Sequence, residues 1–322
     1  MKKIMKMGLI LSVLICLGAF VGCNSLNKKQ VEATENKEAV ETKDTTNEKN
    51  TEGKDKAKTN ELEYLPFDKD PNADDGKVVS EYTNGLLKGT LQYPVRKDGK
   101  KIVYLTFDDG PSENTREILK ILKEEDVHAT FFDIGSALKD NKENQELLKQ
   151  EIDQGNAVAG HSFSHNYKTL YPGNSVDVNK FMNELNETNE IMKSVLGKNF
   201  NARVIRMPGG YMSRRYYRDP NLKALDEAFA KDNIVSIDWD AETGDATGRH
   251  YTVEQYVQNS AKNINTLNHV ILLMHDAAAK KETVQALPAI IKFYKEHGYA
   301  FKVIKNSPVG EKNSSDSTKG SQ

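Results

Sequence analysis

Asp108 and Asp109 are adjacent carboxylates at the end of a run that otherwise reads as a buried strand, Val103-Tyr104-Leu105-Thr106-Phe107. Two neighbouring acids repel each other unless something positive sits between them, and in a regular strand they would point to opposite faces. Gly110-Pro111 follows at once and allows the chain to bend, so that both can face one site. Further along, His161-Ser162-Phe163-Ser164-His165 sets two imidazoles four residues apart. On a helix that spacing puts both rings on one face, and a tight loop can also converge them. Two imidazoles and one carboxylate make an open Zn2+ site with room for water and substrate. Either Asp108 or Asp109 can supply the carboxylate and leave the other as a base, and a divalent cation stabilises both anions. Taken singly, each feature has a plainer reading: a solvated turn for the acids, core or surface positions for the histidines.

Water bound to Zn2+ has its pKa lowered toward roughly 7, and the metal can also polarise a carbonyl oxygen. A second titratable group is then needed to protonate a leaving group. His275, in Ile271-Leu272-Leu273-Met274-His275-Asp276, stands at another strand end and suits that role. Its plainer reading is a histidine bonded within a turn by Asp276. Arg206, in Arg206-Met207-Pro208-Gly209-Gly210, can pair with a carboxylate at the site and orient it. Together these pieces point to metal-assisted hydrolysis of an acyl group. Ligand type favours Zn2+, although Co2+ or Ni2+ fits the same donors.

The elements that must position these groups alternate. β-branched or aromatic runs occur at 102–107, 127–134, 156–160, 203–207, 234–239, 269–274 and 299–304, and helical patterns separate most of them. The helices expected are 115–125, with Asn114 and Glu117 as its cap, then 143–154, 178–196 and 283–297. Alternation of this kind implies parallel strands with helical crossovers. Seven such strands suit a barrel-like closed sheet, in which chemistry sits at the C-terminal strand ends. Those ends carry Asp108 and Asp109, His161 and His165, Arg206, Asp238 through Asp245, and His275. Polar groups after five of the seven runs outweigh the plainer readings.

With those residues in view, the chain resembles the polysaccharide deacetylase family, the NodB-homology carbohydrate esterases. TFDDGP (106–111), HSFSH (161–165), RMPGG (206–210) and LMH (273–275) match four of its five motifs in order and spacing, and the likeness runs from about Lys100 to Ile304. The resemblance implies an α/β fold, a distorted (β/α) barrel of seven parallel strands in one catalytic domain, that removes N-acetyl groups from N-acetylglucosamine polymers. It also implies roles. Asp108 would be the base, Asp109, His161 and His165 the metal ligands, and His275 the acid tuned by Asp245. Arg206 would brace Asp108, and Leu273 would line the pocket for the acetyl methyl, with Gly209, Gly210 and Trp239 contacting substrate. The remaining motif, W-x-V-D-x-x-D-W in the family, reads WDAETGDA from Trp239 to Ala246 here, with Glu242 in place of the first Asp and Ala246 in place of the final Trp.

The start of the chain carries a different message. Lys2, Lys3 and Lys6 precede an apolar run from Met7 to Val21, too short for a membrane span and laid out as a secretory signal. Phe20-Val21-Gly22-Cys23 resembles a lipobox, which would make 1–22 a signal peptide and Cys23 a lipidated membrane attachment; the rival is an uncleaved N-terminal anchor. Removing that segment leaves Cys23 as the single cysteine, so no internal disulfide can hold the fold. Residues 24–60 hold eight Lys and eight Asp or Glu with no aromatic residue, a composition unable to order itself. Positions 23–60 therefore read as a disordered tether of roughly 30–35 Å average span. A lead-in packed on the barrel at 61–100, a deacetylase domain at 101–306 and a polar tail at 307–322 complete the layout. The whole-chain charge of −2 gives a nucleic-acid partner no electrostatic support. Export and a lipid anchor on the outer face of the membrane favour peptidoglycan as the glycan. Chitin oligosaccharides, poly-N-acetylglucosamine, an O-acetyl ester or simple glycan binding by a lipoprotein are the alternatives.

Overall fold

The computed structural model describes residues 67–89, 96, 98–262 and 264–306. Segment 1–22, Cys23, the linker to 60, and the tail from 307 lie outside these residues. Among the described residues no helix is long and apolar enough to cross a membrane.

The strands are β1 Ala73–Asp75, β2 Ile102–Asp108, β3 Ala129–Asp133, β4 Ala157–Gly160, β5 Val204–Ile205, β6 Val235–Ser236, β7 Ala241–Glu242, β8 His269–His275, β9 Ala300–Phe301 and β10 Val303–Lys305. The helices are α1 Gly76–Leu87, α2 Glu113–Glu124, α3 Gly135–Leu138, α4 Lys142–Asp153, α5 Tyr167–Leu170, α6 Val178–Leu196, α7 Tyr211–Tyr216, α8 Leu222–Lys231, α9 Val253–Ser260 and α10 Lys281–Glu296. Helix α2 starts two residues earlier than its apolar spacing suggests. Its cap is Ser112, whose hydroxyl accepts from the Asn114 N–H while the Ser112 N–H donates to Thr115 Oγ1, so Asn114 and Glu117 are not the cap pair.

Seven parallel strands follow one another in the order β6-β5-β4-β3-β2-β8-β7. The seven are not quite those legible in the sequence. The run 299–304 breaks into β9, which pairs only with the start of β2, and β10, which pairs with β1 in a separate ribbon. Its place in the path goes to β7, two residues too short to show any periodicity.

One short stretch joins the two edges of this sheet. At 235–236 it pairs with β5, and at 241–242 it pairs with β8. In between, the Ile237 N–H donates to the Ile205 carbonyl at 2.9 Å, and the Asp240 N–H donates to the Ile271 carbonyl at 3.2 Å. A segment bonded to both edges within three residues closes the sheet on itself, which makes the barrel distorted at that point.

Every residue of β2 is buried, as expected for a strand covered on both faces. Val103, Leu105 and Phe107 face outward against Ile118, Leu119 and Leu122 of α2 and Leu287, Ile290 and Ile291 of α10. Ile102 and Tyr104 face inward with Phe132, Ala159, Val204, Ile237 and Ile271. Val79 of α1 and Ile304 of β10 join that inner cluster and fill the N-terminal end of the barrel. The inward positions that remain, Thr106 and Asp108, therefore reach the other end.

Candidate active site

The bend that the two acids need is at Asp109, whose φ of 76° lies in the left-handed region. Aspartate tolerates that region better than most residues, and there it breaks the alternation of the strand. Both carboxylates consequently meet the same histidine: His161 Nε2 is 3.7 Å from Asp108 Oδ2 and 3.5 Å from Asp109 Oδ1. Gly110 is required by crowding, because a Cβ there would lie 2.1 Å from Asp276 Oδ2.

The two histidines converge through a loop rather than a helix. Ser162 and His165 take φ of 61° and 50°. The turn is stitched by His165 N–H donating to Ser162 Oγ at 3.0 Å, and by Ser164 donating through N–H and hydroxyl to the buried Glu184 of α6. His161 Nδ1 donates to the Arg206 carbonyl at 2.8 Å, which leaves Nε2 as the lone-pair nitrogen aimed at the acids. Burial, and then the charge of His165, lower the His161 pKa to about 3, so the ring is neutral, as a ligand must be. His165 Nε2 lies 3.4 Å from Asp109 Oδ1.

These donors fit a divalent cation. Ligand atoms of Asp109, His161 and His165 lie within 4.8 Å of one another, and the buried Asp109 Oδ1 accepts no hydrogen bond among the described residues. Two imidazole nitrogens and one carboxylate oxygen form the donor set of an open site.

Asp108 is held by Arg206, the largest fully buried side chain among the described residues. Its Nη1 donates to Asp108 Oδ1 at 2.7 Å and to Thr106 Oγ1 at 2.8 Å, and its Nε donates to the Ile237 carbonyl at 2.9 Å. The guanidinium also stacks 4.2 Å from the Phe132 ring and 5.7 Å from Trp239. A buried ion pair is sustainable only with such complete satisfaction.

His275 is the register partner of Asp108 on the adjacent strand. Its own partner is Asp245, not Asp276: Nδ1 bonds Asp245 Oδ1 at 2.9 Å, and the His275 N–H donates to Asp245 Oδ2 at 2.8 Å. Thr283 and Lys280 fix Asp245 in turn. Burial alone would lower the His275 pKa, but the Asp245 charge and hydrogen bond, with the charges of Asp108 and Asp109, raise it to about 9. Leu273 lies two residues before His275 on the same face of β8 and is buried.

The turn Pro208-Gly209-Gly210 is locked from two sides. Gly209 has φ of 75°, and a Cβ there would meet the Tyr167 hydroxyl at 2.4 Å. Asp238 accepts from the N–H groups of Tyr211 and Met212 at 2.8 and 2.7 Å, tying the turn to the closing segment. A Cβ on Gly210 would come within 3.1 Å of the Trp239 ring. The geometry thus gathers Asp108, Asp109, His161, His165, Arg206, His275 and Asp245, with Leu273, Gly209, Gly210 and Trp239 beside them. Ala246 sits exposed at the rim, on the turn Asp245–Thr247.

Sequence reasoning missed several supports. Asp276 accepts from Thr115 Oγ1 beneath Gly110, and burial with the nearby acids pushes its pKa up to about 7. Asp133 and Glu151 are buried together, and desolvation raises both carboxyl groups, helped at Asp133 by the charge of Asp276 and at Glu151 by the charges of Asp133 and Asp276. Asp238 anchors the Pro208-Gly209-Gly210 turn, and Glu184 anchors the loop that bears His161 and His165. An acid next to a strand end was the available signal for Asp133, Asp238 and Asp276; nothing local marks Glu151 or Glu184.

Comparisons with known proteins bear on the family and the fold. Residues 95–225 match the family model described as polysaccharide deacetylase. A peptidoglycan-N-acetylglucosamine deacetylase of Bacillus cereus is 34% identical over 214 residues, which cover 65% of this chain and 71% of that protein. A CE4 esterase of Streptococcus mutans aligns in structure with a TM-score of 0.62 at 33% identity, covering 73% of this chain and 92% of that one. The catalytic domain of a peptidoglycan N-acetylglucosamine deacetylase from Eubacterium rectale aligns with a TM-score of 0.56 at 30% identity, covering 67% and 97%.

Proposed function

The chain belongs to the polysaccharide deacetylase family, and from that premise we propose that it hydrolyses the N-acetyl groups of N-acetylglucosamine residues in cell-wall peptidoglycan, releasing acetate. The observation that carries this reading is the pairing of Asp108 and His275. They are register partners on neighbouring strands, and each is fixed by a partner of opposite character, Arg206 and Asp245.

Asp109, His161 and His165 would hold a divalent cation, Zn2+ by donor type. When bound, the cation supplies Lewis acidity, lowering the pKa of a water and polarising a carbonyl oxygen. Asp108 takes the proton of the attacking water as its oxygen adds to the amide carbonyl carbon, and Arg206 holds the carboxylate at the angle this requires. His275, kept protonated at neutral pH by Asp245, donates its own proton to the amide nitrogen as the C–N bond breaks, while Asp108 keeps the proton from water. The products are acetate and a free glucosamine amine. Leu273 lines the space beside His275 where the acetyl methyl would lie, and Trp239 with the Gly209-Gly210 turn forms the neighbouring wall.

Relatives that act on peptidoglycan support the choice of polymer. The layout of the first 60 residues supports it further. An export segment at 1–22, lipidation at Cys23 and a charged tether would hold the catalytic domain on the outer face of the membrane, beside the wall.

Acetate release from purified peptidoglycan, with and without added Zn2+, tests this directly. Metal-dependent acetate that disappears in Asp108→Asn is the expected result. Acetate from chitin oligomers or an O-acetyl ester but not from peptidoglycan would move the assignment to that substrate. No acetate from any of them would leave a glycan-binding lipoprotein as the better reading.

A further inference from the structure

Three neighbouring strand ends frame the candidate metal site, and the middle one contributes no ligand. Asp109 follows β2 and the two histidines follow β4, while β3, between them in the sheet, runs into the short helix α3. That segment is gripped from both sides. The Gly135 and Ser136 N–H groups donate to the Ser162 and Phe163 carbonyls at 3.0 and 2.9 Å, inside the turn that carries His161 and His165. The approach is close: a Cβ on Gly135 would lie 2.4 Å from Thr188 Oγ1 and 2.8 Å from the Phe163 ring. On the other side the Ile134 N–H donates to the Gly110 carbonyl at 2.9 Å, one residue beyond Asp109.

A single side chain completes the bridge. Asn144, in the first turn of α4, donates through Nδ2 to the Pro111 carbonyl at 3.0 Å and to the Ala137 carbonyl at 2.8 Å. One amide group thereby joins the chain just after Asp109 to the helix that holds the histidine turn. Both neighbours of that nitrogen are carbonyl oxygens, so the position calls for an NH2 group; a carboxylate of the same shape would set oxygen against oxygen. The candidate ligands come from two loops, so the spacing of the loops sets the spacing of the donor atoms. Groups that hold ligands in place from behind determine how well a site is formed before the cation arrives.

We propose that Asn144 is a positioning residue of the metal site, fixing the distance between the Asp109 loop and the His161–His165 turn through α3. The proposal rests on the metal-dependent reading above and deepens it by naming what sets the site's geometry. Asn144 reaches the ligands only through backbone carbonyls, so its effect falls on metal affinity, and on turnover only through the metal.

The test titrates the metal-free protein with Zn2+ by calorimetry, for wild type, Asn144→Ala, Asn144→Asp and Asn141→Ala, and records each melting temperature without metal. Outer partners of metal sites are worth about 10- to 100-fold in affinity, and Asn144 acts through one further contact, so a loss of roughly tenfold is expected in Asn144→Ala. Asn144→Asp keeps the shape and suits the first turn of a helix, so α4 is preserved while the donor is lost. It is expected to weaken Zn2+ binding as well, in spite of its added negative charge. Asn141→Ala is the control. It removes the N-cap of the same helix, whose Oδ1 accepts from the Asn144 N–H at 3.1 Å, and should lower the melting temperature while leaving Zn2+ affinity unchanged. Unchanged affinity in either Asn144 variant overturns the proposal, and so does an equal loss in Asn141→Ala, which would assign the effect to α4 as a whole. Acetate release is measured beside the titrations. If wild type binds Zn2+ yet releases no acetate, the deacetylase reading fails while the titrations still decide the bridge; if it binds no Zn2+, both fall.

Discussion

The two ends of the barrel both bury carboxylates, and they treat them in opposite ways. At the N-terminal end Asp74 accepts from Arg96 at 2.9 Å, from Lys302 at 2.7 Å and from the Tyr104 hydroxyl at 2.5 Å, while Asp70 pairs with Lys305 at 2.7 Å. Each acid there has a cation of its own, and the Asp74 pKa is lowered despite its burial, through Lys302, Tyr104 and Arg96. At the C-terminal end Asp108 and Asp109 share one arginine and two histidines, of which His161 is neutral. The closed end stabilises the fold. The open end leaves negative charge and a nitrogen lone pair unmatched, which is the condition for binding a cation and moving protons.

Four substitutions sharpen or break that contrast. The largest effect belongs to Asp108→Asn, which removes the base without removing bulk: turnover should fall by about 10²- to 10⁴-fold with the fold and bound metal retained. Initial rates of acetate release together with metal content check it, and near-normal turnover would end the assignment of Asp108. Next comes His165→Ala at the half-exposed edge of the site. Loss of a ligand should weaken divalent-metal binding by more than the roughly 10- to 100-fold typical of an outer partner, as measured by calorimetric titration. The melting temperature of the metal-free protein should barely change.

At the other end, Asp74→Asn should leave kcat intact and lower stability. The group is only partly buried, so the cost is on the order of 2 kcal/mol, below the 3–5 kcal/mol of a fully buried broken pair. Thermal melting reads it as a fall of several degrees. Because the Asp74 pKa is lowered on folding, its contribution is present above the unfolded carboxylate pKa and is lost as acid titrates through the folded one. A loss of kcat in Asp74→Asn would erase the distinction between the ends.

The smallest effect is a displaced pH profile. Asp245 raises the His275 pKa, so wild type keeps its acid protonated toward pH 9. Removing the charge in Asp245→Asn lowers that pKa, and the alkaline limb of kcat/KM should move to lower pH. Activity should drop several-fold at pH 8–9 and less near pH 6. An unmoved limb would mean that His275 is not the group titrating there.

Much of this was written locally. The residue types at strand ends named the chemistry, because acids, imidazoles and an arginine after apolar runs are legible without a fold. The long amphipathic helices were legible too: α6 spans the 178–196 that its spacing indicates. Less was legible where elements are short. The two-residue strand β7 carries no period, so the half of the closing segment that pairs with β8 could not be told from a loop, although the run 234–239 marked its β6 half. Partners distant in sequence were hidden for the same reason. Glu184 anchors the histidine loop from a helix about twenty residues away, while Asp245 as the partner of His275 was implied by the family resemblance and not by any local pattern.

By itself, then, the sequence determined which chemistry this protein can perform, since that depends on side-chain type and rough order along the chain. Only the tertiary structure decided how the groups share the work. The left-handed turn at Asp109 brings two carboxylates to one histidine, and the register of β2 with β8 sets Asp108 beside His275. Each of these is a contact between segments far apart in the chain, fixed by packing and by the need to satisfy buried polar groups, and no local pattern encodes it.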